Sequence, residues 1–135
     1  MVKTVLVERD IEDGRRLLLA LDQTNVPAGG FRIAAALWLY SGDPPEWRLI
    51  IATPLVDQLG VRSTYSAIQK VLDSLSPDIG LTLQNISVVK PGDSLVRTLG
   101  RVLRVGAAAG VRFARNTVGD TYIEDSYIYR LSRAA

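Results

Sequence analysis

The chain has 135 residues and a formal net charge of +2, with 47% hydrophobic and 22% charged residues. This balance is typical of a folded domain and excludes a chain that stays disordered through low hydrophobicity and high net charge. The absence of cysteine and histidine excludes disulfides, thiol nucleophiles, imidazole acid–base catalysis and Cys/His zinc sites. We therefore expect one domain over residues 1–135, without a metal or a cofactor.

Targeting features are not evident in the sequence. Its apolar runs, such as residues 33–40, are far shorter than the roughly 20 residues that a membrane-spanning helix needs. The first ten residues, MVKTVLVERD, become charged too early for the apolar core of a secretory signal. These features predict a cytoplasmic protein that does not bind a membrane.

The first predicted element is a helix from about Thr4 to Asp22. Apolar residues recur there at nearly helical spacing, and Pro27 with the glycines that follow it marks the end. An alternative interpretation places a short strand at residues 2–7, followed by a helix that Asp10 caps.

Two apolar, aromatic and β-branched runs, FRIAAALWLY and EWRLIIA, flank the turn sequence SGDPP at residues 41–45. Apolar runs on both sides of such a turn predict a β-hairpin. Both faces of each strand are largely apolar, so we expect these strands to lie centrally in a sheet, covered by helices or by another subunit.

The remaining elements alternate between helix and strand. We predict a helix from about Ser63 to Leu75, a strand over residues 81–90, a third helix from Asp93 to Val105, and a second hairpin that turns around Asn116 to Asp120. The predicted fold class is therefore α+β, with a five-stranded, mainly antiparallel or mixed sheet, about three helices and the order αββαβαββ.

The third helix is amphipathic, and its outer face is cationic. Residues 97–115 contain five arginines and no acidic residue. The residues expected to face the core are Leu95, Leu99 and Val102. The arginines expected at i, i+4 and i+7 on the opposite face are Arg97, Arg101 and Arg104.

Arg112 and Arg115 follow on a predicted strand, where residues three apart point to opposite faces. Only one of them can therefore join the helix arginines, and we assign Arg112 to the same anionic-partner surface. Two other interpretations stay open. One is a solvated face with salt bridges inside the chain, and the other is nucleic-acid binding, which we do not favour because no nucleic-acid-reading module is evident.

A second candidate site lies where a strand ends and a helix begins. An acid, an arginine and hydroxyl groups cluster there, as Asp57, Arg62, Ser63, Thr64 and Tyr65. Helix N-termini and strand ends often bind small anions, so this site is a candidate pocket for a phosphate, a nucleotide or a carboxylate. In the alternative interpretation, Ser63 caps the helix, Arg62 pairs with Asp57 and Tyr65 packs.

Two further motifs are interpreted as structural. The GAAAG sequence at residues 106–110 lacks the lysine of a phosphate-binding loop and is expected to end the third helix. Asp120, Glu124 and Asp125 are expected to be exposed hairpin charges, not metal ligands. No catalytic residue is predicted.

The aromatic residues are concentrated in the two hairpins, and one layer of three helices is expected to leave one apolar face of a five-stranded sheet bare. A bare apolar face is usually buried by association. Our main hypothesis is a non-enzymatic interaction domain, a homo-oligomer or a small subunit, whose arginine-rich helix faces an anionic partner. The alternatives are a small-molecule sensor or enzyme with a pocket at residues 57–65, and a nucleic-acid-binding accessory protein.

Overall fold

The computed structural model describes residues 3–24, 31–105 and 110–131. These residues form four α-helices: α1 (Glu8–Asp22), α2 (Leu55–Leu59), α3 (Val61–Leu75) and α4 (Ser94–Gly100). They also form seven strands: β1 (Ala35–Gly42), β2 (Pro45–Ala52), β3 (Ile86–Val89), β4 (Val111–Arg112), β5 (Asn116–Val118), β6 (Thr121–Ile123) and β7 (Asp125–Leu131). The predicted α+β class is confirmed.

The main sheet has five strands in the order β3-β2-β1-β7-β4, and β5 and β6 form a separate two-stranded sheet. The β2–β3 pair is parallel, whereas the other pairs in the main sheet are antiparallel, so the sheet is mixed, as predicted. The first predicted hairpin is confirmed, because β1 and β2 pair from Ala35↔Ala52 to Gly42↔Pro45.

Both faces of the main sheet are covered by this chain's own elements. Trp38 and Leu49 belong to a core that includes residues of α1 and α3. Leu37 and Ile128 point to the opposite face, where a second core includes residues of α4, β5 and β6. The β5–β6 hairpin thus supplies cover that the sequence did not reveal. Within the described residues, we find no bare sheet face to support the expected association.

α1 begins at Glu8, four residues later than predicted. The Asp10 carboxylate accepts a hydrogen bond from the Val7 amide at 3.0 Å, which fixes the first turn at this point. The Lys3 carbonyl accepts a hydrogen bond from the Trp47 amide at 2.7 Å, so the chain before the helix is held against β2. Residues 3–7 form no strand, although Asp10 does act at the helix start, as the alternative proposed.

A buried hydrogen-bond pair joins α1 to the sheet. The Tyr129 hydroxyl donates to the Ile11 carbonyl at 2.6 Å and accepts from the Trp38 indole nitrogen at 2.8 Å. Both rings are fully buried. A Cβ atom added at Gly14 would overlap the Tyr129 hydroxyl, so this glycine permits the close approach of α1 to β7. Burial raises the pKa of Tyr129 far above its usual value, and the hydroxyl stays neutral.

Two predicted boundaries differ from the structure. α3 begins at Val61, two residues earlier than predicted, because Gly60 occupies the N-cap position with a φ of 86° that suits glycine. The strand predicted over residues 81–90 covers only Ile86–Val89, because a 3₁₀ turn at Leu83–Asn85 precedes β3. The Asn85 side chain stabilises that turn by accepting a hydrogen bond from the Thr82 amide at 3.2 Å.

The tail forms the predicted hairpin, with its turn at Gly119 and Asp120 between β5 and β6. The same register continues outward, because β4 pairs with β7. Of the GAAAG sequence, residues 106–109 lie outside the described residues. In the part of the chain that the structure describes, no helix combines the length and the apolar character needed to span a bilayer.

Candidate anionic-partner interface

α4 begins as predicted but ends five residues early. The Asp93 carboxylate accepts a hydrogen bond from the Leu95 amide at 3.1 Å and so caps the helix. The helix ends at Gly100, a residue of low helix propensity. Beyond it, Val105 forms a bridge with Leu131 at the end of β7, with N–O distances of 3.2 and 2.7 Å. A helix that continued to Val105 could not make this bridge, so the predicted extent was wrong.

The early end of α4 changes which side chains face the core. Leu99 is fully buried, whereas Val102, predicted to be on the buried face, is 58% exposed. Val96, which was not among the residues predicted to face the core, is buried instead. The segment after α4 therefore presents an apolar side chain to solvent among its arginines.

Arg97, Arg101 and Arg104 are all exposed. Helical hydrogen bonding continues past the end of α4, because the Leu103 amide donates to the Leu99 carbonyl at 2.9 Å. Arg97 and Arg101 are thus one helical turn apart on the same side. Arg104 lies just before the bridge to β7.

These three arginines, which we call the arginine surface, have no ion pair or side-chain hydrogen bond among the described residues. The chain from residue 94 to residue 105 also contains no acidic residue. Three guanidinium groups within eight residues are therefore left to solvent or to a partner.

Arg112 is placed differently. It lies in β4, and its guanidinium donates to both Asp125 carboxylate oxygens at 2.8 and 2.6 Å. It also lies 5.6 Å from the centroid of the Trp47 ring. Trp47 belongs to the core on the α1 side, whereas α4 covers the other face. The structure therefore does not bring Arg112 together with the arginine surface.

The Arg112–Asp125 pair also has electrostatic consequences. The hydrogen bonds from Arg112 hold the pKa of Asp125 below its usual range, although desolvation opposes this shift. The sequence contained a signal for this contact. A hairpin centred between Gly119 and Asp120 places Arg112 opposite Tyr127 and diagonal to Asp125, within reach of a long side chain.

Arg115 was expected to point away from Arg112, but both residues line one groove. The cause is the backbone of Arg115, which has a φ of 52°. A left-handed residue interrupts the alternation of side chains along a strand. Its amide still donates to the Glu124 carbonyl at 3.1 Å, so the hairpin register is preserved.

The second predicted site is not assembled as the sequence suggested. Asp57 forms an ion pair with Lys90, at 3.2 Å, and not with Arg62. Arg62 and Ser63 are exposed, and Ser63 does not cap α3, because Gly60 occupies that position.

The hydroxyl groups of Thr64 and Tyr65 both form hydrogen bonds within the fold. The Thr64 hydroxyl donates to the Gly60 carbonyl at 2.8 Å, and the Thr64 residue is fully buried. The Tyr65 hydroxyl accepts from the Val88 amide at 3.1 Å and lies 3.5 Å from the Ile86 carbonyl. Tyr65 thus satisfies backbone groups on the outer edge of β3, which protects that edge from pairing with another strand.

A metal site is not evident in the part of the chain that the structure describes. Among residues 3–24, 31–105 and 110–131, no group of three or more His, Cys, Asp or Glu side chains is arranged to hold a metal ion. Comparison of the chain with protein-family models, curated proteins and solved structures gave no match in any of the three. The geometry of the arginines is therefore the feature from which a function can be proposed.

Proposed function

We propose that this protein is a non-enzymatic interaction domain, acting as a small subunit of a larger assembly, and that the arginine surface binds an anionic partner. The observation that carries this proposal is the exposure of Arg97, Arg101 and Arg104 without an ion pair among the described residues. Guanidinium groups match carboxylates in shape and charge, and they are weakly hydrated, so such a surface binds acidic groups readily.

Other arginines support the proposal by contrast. Arg130 donates to both carboxylate oxygens of Asp22 at 2.9 and 2.7 Å. Arg48 contacts Glu46 and two main-chain carbonyls, at Gln84 and Ile86, each at 2.9 Å. The chain therefore has carboxylates and carbonyls with which to hold arginines. The α4 segment, by which we mean residues 94–105, contains arginines that are not held in this way.

The partner that we favour is an acidic protein segment. Val102 lies within the arginine surface and is 58% exposed. Protein interfaces combine arginine with apolar contacts, whereas binding to a nucleic-acid backbone depends mainly on charge. An exposed valine between Arg101 and Arg104 suits a partner in which acidic and apolar side chains alternate.

The test measures the affinity for a labelled peptide of interspersed Glu and Leu by fluorescence anisotropy, at several salt concentrations. The variant R97Q/R101Q/R104Q removes three charges from the arginine surface. The matched control R32Q/R62Q/K70Q removes three charges from exposed positions elsewhere. Exposed ion pairs contribute about 0.2–1 kcal/mol each. With about 0.5 kcal/mol for each of the three arginines, we expect the first variant to bind about tenfold more weakly, with a weaker salt dependence, and the control to bind like the wild type.

Two results would overturn the proposal. One is an equal loss of affinity in both variants, which would show that only net charge matters. The other is the absence of salt-sensitive peptide binding by the wild type. If the wild type instead binds single-stranded or duplex DNA more tightly than the peptide, and loses that binding in R97Q/R101Q/R104Q, nucleic acid is the partner and the protein-partner assignment is wrong.

A further inference from the structure

A second surface, on the α1 side of the sheet, has the features of a small-molecule site. An open groove of about 480 Å³ lies between residues 4–6 and the tail hairpin, which is within the usual range of roughly 300–1,000 Å³ for ligand pockets. The residues on which the argument depends are Tyr40, Trp47, Arg112, Arg115, Tyr122 and Glu124, all of which line it. We call it the aromatic groove.

The groove offers flat surfaces for stacking. The Tyr40 and Trp47 rings contact each other with centroids 5.3 Å apart, and the Arg112 guanidinium lies over Trp47. The bidentate contact with Asp125 holds that guanidinium in one orientation. Tyr122, on the hairpin side, is 59% exposed. An exposed tyrosine ring and a fixed guanidinium plane are both suitable stacking partners for a planar ligand.

Arg115 supplies the positive charge for a ligand. Arg112 is neutralised by Asp125, whereas Arg115 is exposed, forms no ion pair of its own among the described residues, and acts on Asp125 only through its longer-range charge. Its left-handed φ of 52° is unfavourable for an arginine, and glycine would adopt it readily. A strained backbone that delivers an unpaired guanidinium to a groove is typical of a functional position.

Glu124 supplies a matching acceptor. It is exposed, lines the same groove, and is the cross-strand neighbour of Arg115. Its carboxylate lies against Gly42 at the end of β1, where an added Cβ atom would overlap it. A ligand with hydroxyl or N–H groups beside its anionic group would satisfy both charges at once.

We propose that the aromatic groove binds a planar aromatic anion, independently of the arginine surface. The ring stacks on Tyr122 and the Arg112 plane, the phosphate or carboxylate pairs with Arg115, and Glu124 accepts a hydrogen bond from a hydroxyl or N–H group of the ligand. Nucleoside monophosphates and aromatic acids such as indoleacetate both have this chemistry, and they differ in the anionic group.

Isothermal titration calorimetry with AMP, indoleacetate, adenosine and inorganic phosphate tests the proposal and distinguishes the two anions. We expect AMP or indoleacetate to bind, and adenosine and phosphate each to bind at least tenfold more weakly than the better of the two, because each lacks one of the required groups. R115Q and Y122A should each weaken binding about tenfold, whereas R32Q, a change at an exposed arginine outside the groove, should have no effect.

Arg115→Gly separates ligand binding from folding. Glycine relieves the left-handed backbone and removes the guanidinium, so this variant should melt at or above the wild-type temperature and still bind at least tenfold more weakly. R97Q/R101Q/R104Q should bind the ligand normally, which distinguishes this site from the proposed partner surface. The proposal is wrong if neither aromatic anion binds at millimolar concentration, if phosphate alone binds as well as the tighter-binding aromatic anion, or if R115Q and Arg115→Gly bind like the wild type.

Discussion

The α1 region and the α4 segment both contain several charged residues, but they use them differently. Around α1, Lys3 pairs with Asp10 at 2.8 Å, Arg15 with Glu12 at 2.9 Å, and Arg130 with Asp22 at 2.7 Å. In the α4 segment, the arginines have no such partner among the described residues.

The comparison distinguishes charged residues that pair within the fold from charged residues that do not. The α1 pairs connect the start of the chain, the helix and β7, and Arg15 lies over the ring of the buried Tyr129. α4 is held by its apolar side, through Val96 and Leu99. Substitutions near α1 should therefore affect stability, whereas substitutions on the arginine surface should affect binding alone.

The largest expected effect is at Gly14. Gly14→Ala places a Cβ atom against the Tyr129 hydroxyl and near the Trp38 nitrogen. We therefore expect the free energy of unfolding to fall by about 3 kcal/mol, the upper end for overpacking. Gly92→Ala is the matched control, because nothing lies within 4 Å of its Cβ position. Urea unfolding measures both, and equal stabilities would show that α1 does not pack closely on β7.

Tyr129→Phe should lower the free energy of unfolding by about 2 kcal/mol. The substitution leaves the buried Trp38 donor and the Ile11 carbonyl without the hydroxyl that contacts both, and an unsatisfied buried group costs about 1–3 kcal/mol. Tyr122→Phe, at a ring that is 59% exposed, should change the unfolding midpoint little. A loss of the same size in the two variants would contradict the assigned network.

Arg130→Gln should lower the free energy of unfolding by about 1 kcal/mol, because it breaks a bidentate ion pair in which the Arg130 side chain is only 16% exposed. Arg101→Gln, at an exposed arginine directly after α4, should change stability by less than about 0.5 kcal/mol. This pair of variants compares the two regions directly by thermal or urea unfolding. If Arg101→Gln is the more destabilising, the proposed division of the charges is wrong.

The smallest expected effect is the pH dependence of the Asp125 contact. Because hydrogen bonds from Arg112 lower the pKa of Asp125 in the folded chain, the carboxylate stabilises the fold above the usual aspartate pKa of about 4. This contribution is lost as the pH falls through the lowered pKa. The stability difference between the wild type and Asp125→Asn, measured by unfolding at each pH, should therefore shrink below about pH 4. A difference that stays constant there would argue against the pair.

The sequence predicted the elements better than their ends. The β1–β2 hairpin followed from apolar runs around SGDPP, and the cap of α4 followed from Asp93. The early end of α4 did not follow, because it depends on the bridge between Val105 and Leu131, a contact between distant parts of the chain.

The sequence predicted only part of the candidate sites, because the rest also depends on contacts between distant parts of the chain. Exposure of Arg97, Arg101 and Arg104 followed from helical spacing. The partner of Arg112 depended on a hairpin register, and the direction of Arg115 depended on a left-handed backbone that propensities do not predict for arginine. The aromatic groove joins the start of the chain to its tail, so no local pattern could reveal it.

We propose that the arginine surface serves a partner and not the fold. The most direct measurement is the affinity of R97Q/R101Q/R104Q for the acidic Glu/Leu peptide, relative to R32Q/R62Q/K70Q at the same ionic strength. We predict about tenfold weaker binding by the first variant. Equal affinities in the two variants would contradict the claim.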